Sequence, residues 1–268
     1  MTVILSAMFD AANANEFRVG GLEKAIENGS VLPFYQPVID MRTGRYAGAE
    51  ALARWVHSEH GVMMPYEFLP EAERRGLMAA LTWRMLDQAL GDWRHLSGGM
   101  THFGISVNVP AAVAAGADFV PKVTDLLTRH GVPPRRLTLE IVDALAAPDV
   151  PQICTALCKL RSAGIDLALD NFGSGHSSLV ALRDLPFSKI KLDRAFVTHA
   201  ETHPEERMIM ASVIRLARDF GMHSVAEGIE TQACFDLVRE SGMDFGQGYL
   251  MGEPMPWYEF GRRPPRFL

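Results

Sequence analysis

Three cysteines in 268 residues are too few for a disulfide framework. Cys154 and Cys158 lie one helical turn apart and Cys234 is remote, which predicts reduced thiols in a cytoplasmic protein and neither a cross-linked frame nor a zinc knuckle. No apolar run approaches the roughly 20 residues of a membrane span. The opening stretch, MTVILSAMFDAANANEF, carries no basic residue before Arg18, which argues against a signal peptide. Positive charge is not in surplus either: 26 Lys and Arg face 32 Asp and Glu, a net charge of −6, so a broad basic footprint for a nucleic acid polymer is not expected. There is no Gly-x-Gly-x-x-Gly after an early strand and no Walker lysine, so nucleotide folds of those kinds gain no support.

What is present is enough apolar material, 48% of the chain, to bury one substantial core. Residues 1–15 read as a leader or linker remnant, before which a sensor domain is conceivable, and residues 16–268 as a single domain. The stretch IDLALDNFGSGHSSLVALRDLPFSKIKLD, Ile165 to Asp193, organises the rest. Ile165, Leu167 and Leu169 alternate with Asp166, Ala168 and Asp170, the period of two of a strand. A glycine-bearing turn follows, Leu179, Leu182 and Leu185 give a short helix its apolar face, and Lys189 and Lys191 alternate with Ile190 and Leu192 in a second strand. This is a βαβ unit.

Earlier in the chain, VLPFYQPVID and RYAGAEALARW flank the turn Met41-Arg42-Thr43-Gly44, a link so short that the two strands must be antiparallel. Tyr66 to His95 predicts two helices broken near Gly76, and FGISVNV and RLTLEIV predict strands. MHSVAEGIE and MDFGQGYLM supply the last two strands. Eight strands, the first two a hairpin and the others alternating with helices, predict an α/β fold: a TIM-like (β/α)8 barrel with one antiparallel strand. His57 and His60 fall in a glycine-containing segment read as a solvated loop.

Polar groups collect at the strand ends: Glu50, Asn108, Glu140, Asp170 with Asn171, Lys191, Glu227 and Gln247. In a barrel they converge on one mouth. Carboxylates and amide oxygens without histidine or cysteine suit a hard cation, magnesium or manganese. A lysine among them can orient or deprotonate a metal-bound water. The reaction class implied is metal-assisted hydrolysis of a phosphate ester, with two ions about 3.5–4 Å apart.

The series YQPVIDMRTGRYAGAEALARW, SVNV, LTLEIVDA, LALDNFGSGHSSL, KIKLDRAFV, SVAEGIET and FGQGYL resembles the EAL-domain family of bacterial cyclic di-GMP phosphodiesterases, from about Phe34 to Pro254. The resemblance implies hydrolysis of cyclic di-GMP to the linear dinucleotide pGpG with two Mg2+ or Mn2+ ions, and frequent homodimers. By position, Glu50, Asn108, Glu140 and Asp170 would bind one ion. Asp170 would bridge to a second that Glu227 helps hold, with Asn171 beside it. Lys191 would contact the nucleophilic water and Arg54 a phosphate oxygen, while Gln36, Leu52, Glu230 and Gln247 would shape the dinucleotide pocket. Asp143, Gly173, Ser174 and Gly175 belong to segments similar to the family's loop that couples dimerisation and metal binding to activity.

Departures from the family pattern bear on activity. Asn171 stands where active relatives usually have a second aspartate; an amide oxygen still ligates magnesium but brings no charge, so the second ion is expected to bind more weakly. Asp143 replaces a glutamate, Ser174 a threonine and His176 a tyrosine. The expectation is therefore a phosphodiesterase of reduced or full activity. The alternatives are a cyclic di-GMP receptor without turnover and a partner-binding module.

Overall fold

The computed structural model describes residues 21–142, 150–173 and 179–262. The predictions made at Asp143, Ser174, Gly175 and His176, and for the first 20 residues, lie outside that set.

Strand β1 (Val31–Asp40) and strand β2 (Tyr46–His57) form the expected hairpin. Its turn closes because Asp40 Oδ1 accepts from the Thr43 amide at 2.8 Å and Gly44 sits at φ +67°, a conformation glycine adopts without strain. Strand β3 (Gly61–Met63) folds back on the end of β2. It is a ninth strand among the described residues where the sequence predicts a solvated loop, so His57 is the last residue of β2 and only His60 is in the turn. The strand is short because its three residues pair only with Trp55, Val56 and His57.

Helices α1 (Gly21–Asn28), α2 (Pro65–Arg74) and α3 (Met78–Ser97) pack outside, the last two broken at Gly76 (φ +68°) as its neighbours predict. Then β4 (Gly104–Pro110), α4 (Ala111–Ala114), α5 (Phe119–His130), β5 (Leu137–Val142), α6 (Val150–Ser162), β6 (Asp166–Phe172), α7 (Leu179–Asp184) and β7 (Lys189–Leu192) alternate around the axis. The chain continues through α8 (Pro204–Asp219), β8 (His223–Ala226), α9 (Gln232–Ser241), β9 (Phe245–Gln247) and α10 (Trp257–Phe260). Strands β2, β4, β5, β6, β7, β8 and β9 are parallel neighbours in that order, and β1 closes the ring antiparallel to both β9 and β2. The (β/α)8-like barrel with a reversed first strand is therefore the fold. The last strand is only three residues, shorter than MDFGQGYLM suggests.

Alternation along the strands separates two environments. Ile105, Val107 and Val109 of β4, Leu137, Leu139 and Ile141 of β5, and Ile190 and Leu192 of β7 are buried in one apolar core with the helices. Each such side chain stabilises the fold by about 1.5–3 kcal/mol. The intervening residues point into the barrel and are small or polar. A buried hydrogen bond of 2.6 Å from Tyr35 Oη to Asp92 Oδ2 ties β1 to α3; burial, then the Asp92 charge, pushes the Tyr35 hydroxyl well above its ordinary value, so it stays a donor.

Candidate active site at the C-terminal mouth of the barrel

Lys191 is the centre of the mouth. Alternation in β7 turns it inward, where it is 3% exposed. Its Nζ lies 3.1 Å from Glu50 Oε2, 2.7 Å from Glu227 Oε1 and 3.3 Å from Asp170 Oδ1, and it also contacts Glu140 Oε2 at short range. Four carboxylates from β2, β5, β6 and the segment after β8 thus share one ammonium. Lys191 is held protonated well above its ordinary value, since burial disfavours the charge but Glu140, Glu227, Glu50 and Asp170 together outweigh it.

The acids do not titrate alike. Glu50 is buried, which raises its pKa, but Lys191 and hydrogen bonds from Gln247 (2.7 Å) and Asn108 (2.7 Å) bring it below the usual range. Glu140 is pushed well above that range by burial and by Glu50. Glu227 is raised to about 7, first by burial, with Lys191 opposing and Asp170 and Glu50 adding to the rise. One ammonium cannot compensate four carboxylates packed around it, so Glu140 and Glu227 hold a proton more tightly than a free carboxylate does.

The way Asp170 and Asn171 reach the mouth depends on a local irregularity. Leu169 pairs with Ile190 and Phe172 with Leu192, so β6 carries one residue more than β7 over this span. That is a bulge, which redirects side chains at a strand end. Asn171 sits at φ +51°, the one positive-φ residue other than glycine among the described residues. Asparagine tolerates that conformation better than most residues. Its Nδ2 donates to Asp170 Oδ2 at 2.5 Å. Gly173 follows at φ +104°, where a Cβ would come within 2.4 Å of Phe196 Cε2, so the turn closes only with glycine.

A cleft of about 310 Å3 opens above Lys191. Gln36, Glu50, Leu52, Asn108, Asp170 and Asn171 line one part of it, and Glu227, Glu230 and Gln247 another. Gln247 Nε2 donates to Gln36 Oε1 at 2.8 Å as well as to Glu50, linking β9 to β1 and β2. Two predicted residues are placed differently from the rest. Glu140 lies beneath Lys191 as part of the floor and does not line the cleft. Arg54 is 5% exposed, donates from Nη1 to its neighbour's Ala53 carbonyl at 2.8 Å, and does not line the cleft either.

Arg194 and Tyr249 line the cleft and were not singled out from sequence. Both had a signal: Arg194 follows the strand-end residues of KIKLD, and Tyr249 follows the QG pair of the last strand. Gly228, at φ +77°, leaves room for Arg194, whose Cβ lies 2.6 Å from where a Cβ on Gly228 would be.

These donors fit a hard divalent cation. They are oxygens, they carry more negative charge than Lys191 neutralises, and Asn108 keeps its carbonyl oxygen as an acceptor while its amide holds Glu50. Among the described residues no three of the acids are gathered into a ready metal cluster; they are held around Lys191.

The sequence profile of the EAL domain matches residues 20–254. The chain belongs to the EAL domain family. It is 36% identical over 236 residues to the bifunctional diguanylate cyclase/cyclic di-GMP phosphodiesterase MucR of Pseudomonas aeruginosa, covering 88% of this chain and 34% of MucR. It is 34% identical over 242 residues to the cyclic di-GMP phosphodiesterase RocR of the same organism, covering 90% of this chain and 62% of RocR. The chain thus spans between a third and under two thirds of these relatives. Among solved structures, the MucR phosphodiesterase in complex with c-di-GMP superposes with a TM-score of 0.82 at 35% identity, over 89% of this chain and 97% of that one. The EAL enzyme Bd1971, in a form with cAMP and cyclic-di-GMP bound, gives 0.86 at 27% identity, over 98% and 74%. No helix among the described residues is long and apolar enough to cross a membrane.

Proposed function

We propose that this EAL domain hydrolyses cyclic di-GMP to linear pGpG with magnesium or manganese. The observation that carries the reading is the convergence of Glu50, Glu140, Asp170 and Glu227 on Lys191 at the mouth of the barrel. The neighbouring proteins named for cyclic di-GMP phosphodiesterase activity support it. So does the space available: the cleft joins an apolar hollow of about 880 Å3 through Leu52, Asn108, Asp170 and Asn171, with Trp83, Leu69 and Met85 on its walls. A ligand with a charged centre and flat apolar bases suits that pairing of surfaces.

Glu50, Asn108, Glu140 and Asp170 would hold one ion, and Asp170, Asn171 and Glu227 a second. Bound divalent cations make water acidic enough to attack at neutral pH and neutralise phosphoryl oxygens. Water adds to phosphorus, the bond from phosphorus to the 3′ oxygen breaks, and the products are a 5′-phosphomonoester and a free 3′ hydroxyl. Lys191, at the centre of the carboxylates, would contact the attacking water and orient it. Arg194 and Tyr249 border the dinucleotide from the rim.

A receptor without turnover is the second reading, favoured by one observation: Asn171 spends its amide on Asp170 and brings no charge to the second ion. Incubation of the chain with cyclic di-GMP and each metal, with Glu50→Ala as the blank, separates the two. Linear product from the unmodified chain alone supports the enzyme; binding without product supports the receptor.

A further inference from the structure

An eight-stranded barrel is ordinarily filled by layers of bulky branched side chains. Here the inward positions below the catalytic mouth include Gly48, Gly104, Ser106, Thr138 and Ala168, and they surround a cavity of about 440 Å3. Glu140, Lys191 and Gln247 form its upper end. Its lower end, at the opposite face of the barrel, is bordered by Arg45, His102, Arg135, Arg136, Lys189 and His223.

Charge at that lower end is not balanced by the protein. The acids lining it are Asp40 and Asp166, besides Glu140 at the far end. Asp166 is already engaged by Arg161 at 2.8 Å, Ser188 Oγ at 3.0 Å and Lys189 at 3.5 Å. Asp40 accepts from the Thr43 amide. His223 faces Asp244 at 3.7 Å, outside the lining. Arg45, Arg135 and Arg136 make no ion pair among the described residues. Arg136 donates from Nη1 to the His102 carbonyl at 2.9 Å, while its Nε is buried without a hydrogen-bond partner. A buried donor in that state costs stability unless a ligand or water completes it. Gln247 Oε1, at the upper end, is likewise buried and unpartnered. Burial and then Arg135 lower the Arg136 pKa, and burial lowers that of Lys189 although Asp166 opposes it.

We propose that this well, at the N-terminal end of the strands, binds a phosphate dianion, free or as a phosphomonoester. The guanidinium groups of Arg136, Arg135 and Arg45 present planar forks suited to phosphate oxygens. Deeper, Lys189 Nζ donates to Thr138 Oγ1 at 2.8 Å, which leaves the threonine hydroxyl free to donate into the cavity. The catalytic mouth has the opposite character, with surplus carboxylates. The well therefore does not depend on the phosphodiesterase reading, and failure of either leaves the other standing.

The test is calorimetric titration of the full chain with inorganic phosphate and, separately, guanosine 5′-monophosphate, at low salt with chelator so that the carboxylate mouth has no divalent ion to attract phosphate. Saturable binding of one equivalent, weakened about tenfold by Arg136→Gln, as loss of a charge-assisted hydrogen bond implies, and similarly by Arg45→Gln on the exposed rim, supports the site. Arg194→Gln at the other mouth is expected to change it less than about twofold. Binding of free phosphate alone or of both probes supports the shared chemistry and distinguishes its source. Absence of saturable binding overturns the proposal, as does binding that survives both rim substitutions or is lost with Arg194→Gln. If Arg136→Gln does not fold, Arg45→Gln carries the test, because its side chain is exposed.

Discussion

Lys191 Nζ and Glu227 Oε1 lie 2.7 Å apart, yet Glu227 titrates near 7. An ion pair that close ordinarily lowers a carboxylate's pKa. Here burial and the neighbouring acids Asp170 and Glu50 outweigh the single ammonium, and the site is better suited to more positive charge than it contains.

The first prediction concerns pH. Glu227 rises from the ordinary 4.5 to about 7, so between those values the folded chain binds more protons than the unfolded one. Its contribution to stability is fully present below 4.5 and is lost as pH rises through about 7. Glu140 has the same sign. Glu50 has the opposite sign, but its lowered pKa acts in acid, below this window. Metal-free protein is expected to melt at a lower temperature near pH 8 than near pH 5.5, and manganese to raise the melting temperature more near pH 8. A melting temperature that rises across this interval without metal would contradict the account.

The second prediction removes the central cation. Lys191→Met leaves buried acids without their shared partner, an effect on the order of 3–5 kcal/mol when a buried ion pair is broken. Part of that loss is offset where the acids take up protons. Thermal unfolding without metal should show the loss, and magnesium or manganese should recover more stability in this variant than in the parent. Turnover should be lost in both conditions. Equal metal response in the two chains would sink the idea that Lys191 holds the place of a cation.

Asn171 supplies the third. Its φ of +51° is tolerated by aspartate as well as asparagine, so Asn171→Asp should fold normally and bind the second ion more tightly, keeping or raising turnover. Asn171→Ala should lose about 1 kcal/mol through left-handed strain. Metal titrations and chemical denaturation read these separately. Inactivation by Asn171→Asp in a folded chain would show that the second ion's surroundings have been misassigned.

The fourth is remote from the mouth. Tyr35→Phe removes the donor to Asp92, which is 7% exposed and keeps a 3.0 Å bond from Gln88. A loss of about 1–3 kcal/mol is expected, with turnover per folded molecule unchanged. Urea unfolding with a steady-state assay checks both halves.

The barrel is legible in sequence where its strands alternate: in β7, Ile190 and Leu192 against Lys189 and Lys191 declare an outer and an inner face without any tertiary information. The reversed β1 follows from a turn too short for a crossover. Strand β3 is not legible, since three residues give periodicity too little length. Nor is the bulge at Asp170 and Asn171, which exists only as a mismatch between two paired strands. The convergence of acids follows from their positions at strand ends, but their depth does not: Glu140 belongs to the floor beneath Lys191. The cationic well was hidden for a related reason, because Arg45, Arg136 and His223 lie at or just before the starts of separate strands that meet only when the barrel closes.

The central claim is that water attacks phosphorus at the mouth around Lys191. Cyclic di-GMP should be incubated with excess enzyme and manganese or magnesium in 18O-labelled water, and the nucleotide recovered after a single turnover. The account predicts linear dinucleotide with one 18O in its 5′-phosphate, and unreacted cyclic substrate with Glu50→Ala. Cyclic di-GMP recovered intact with both metals, from folded protein that binds it, would contradict the claim and leave the receptor reading in its place.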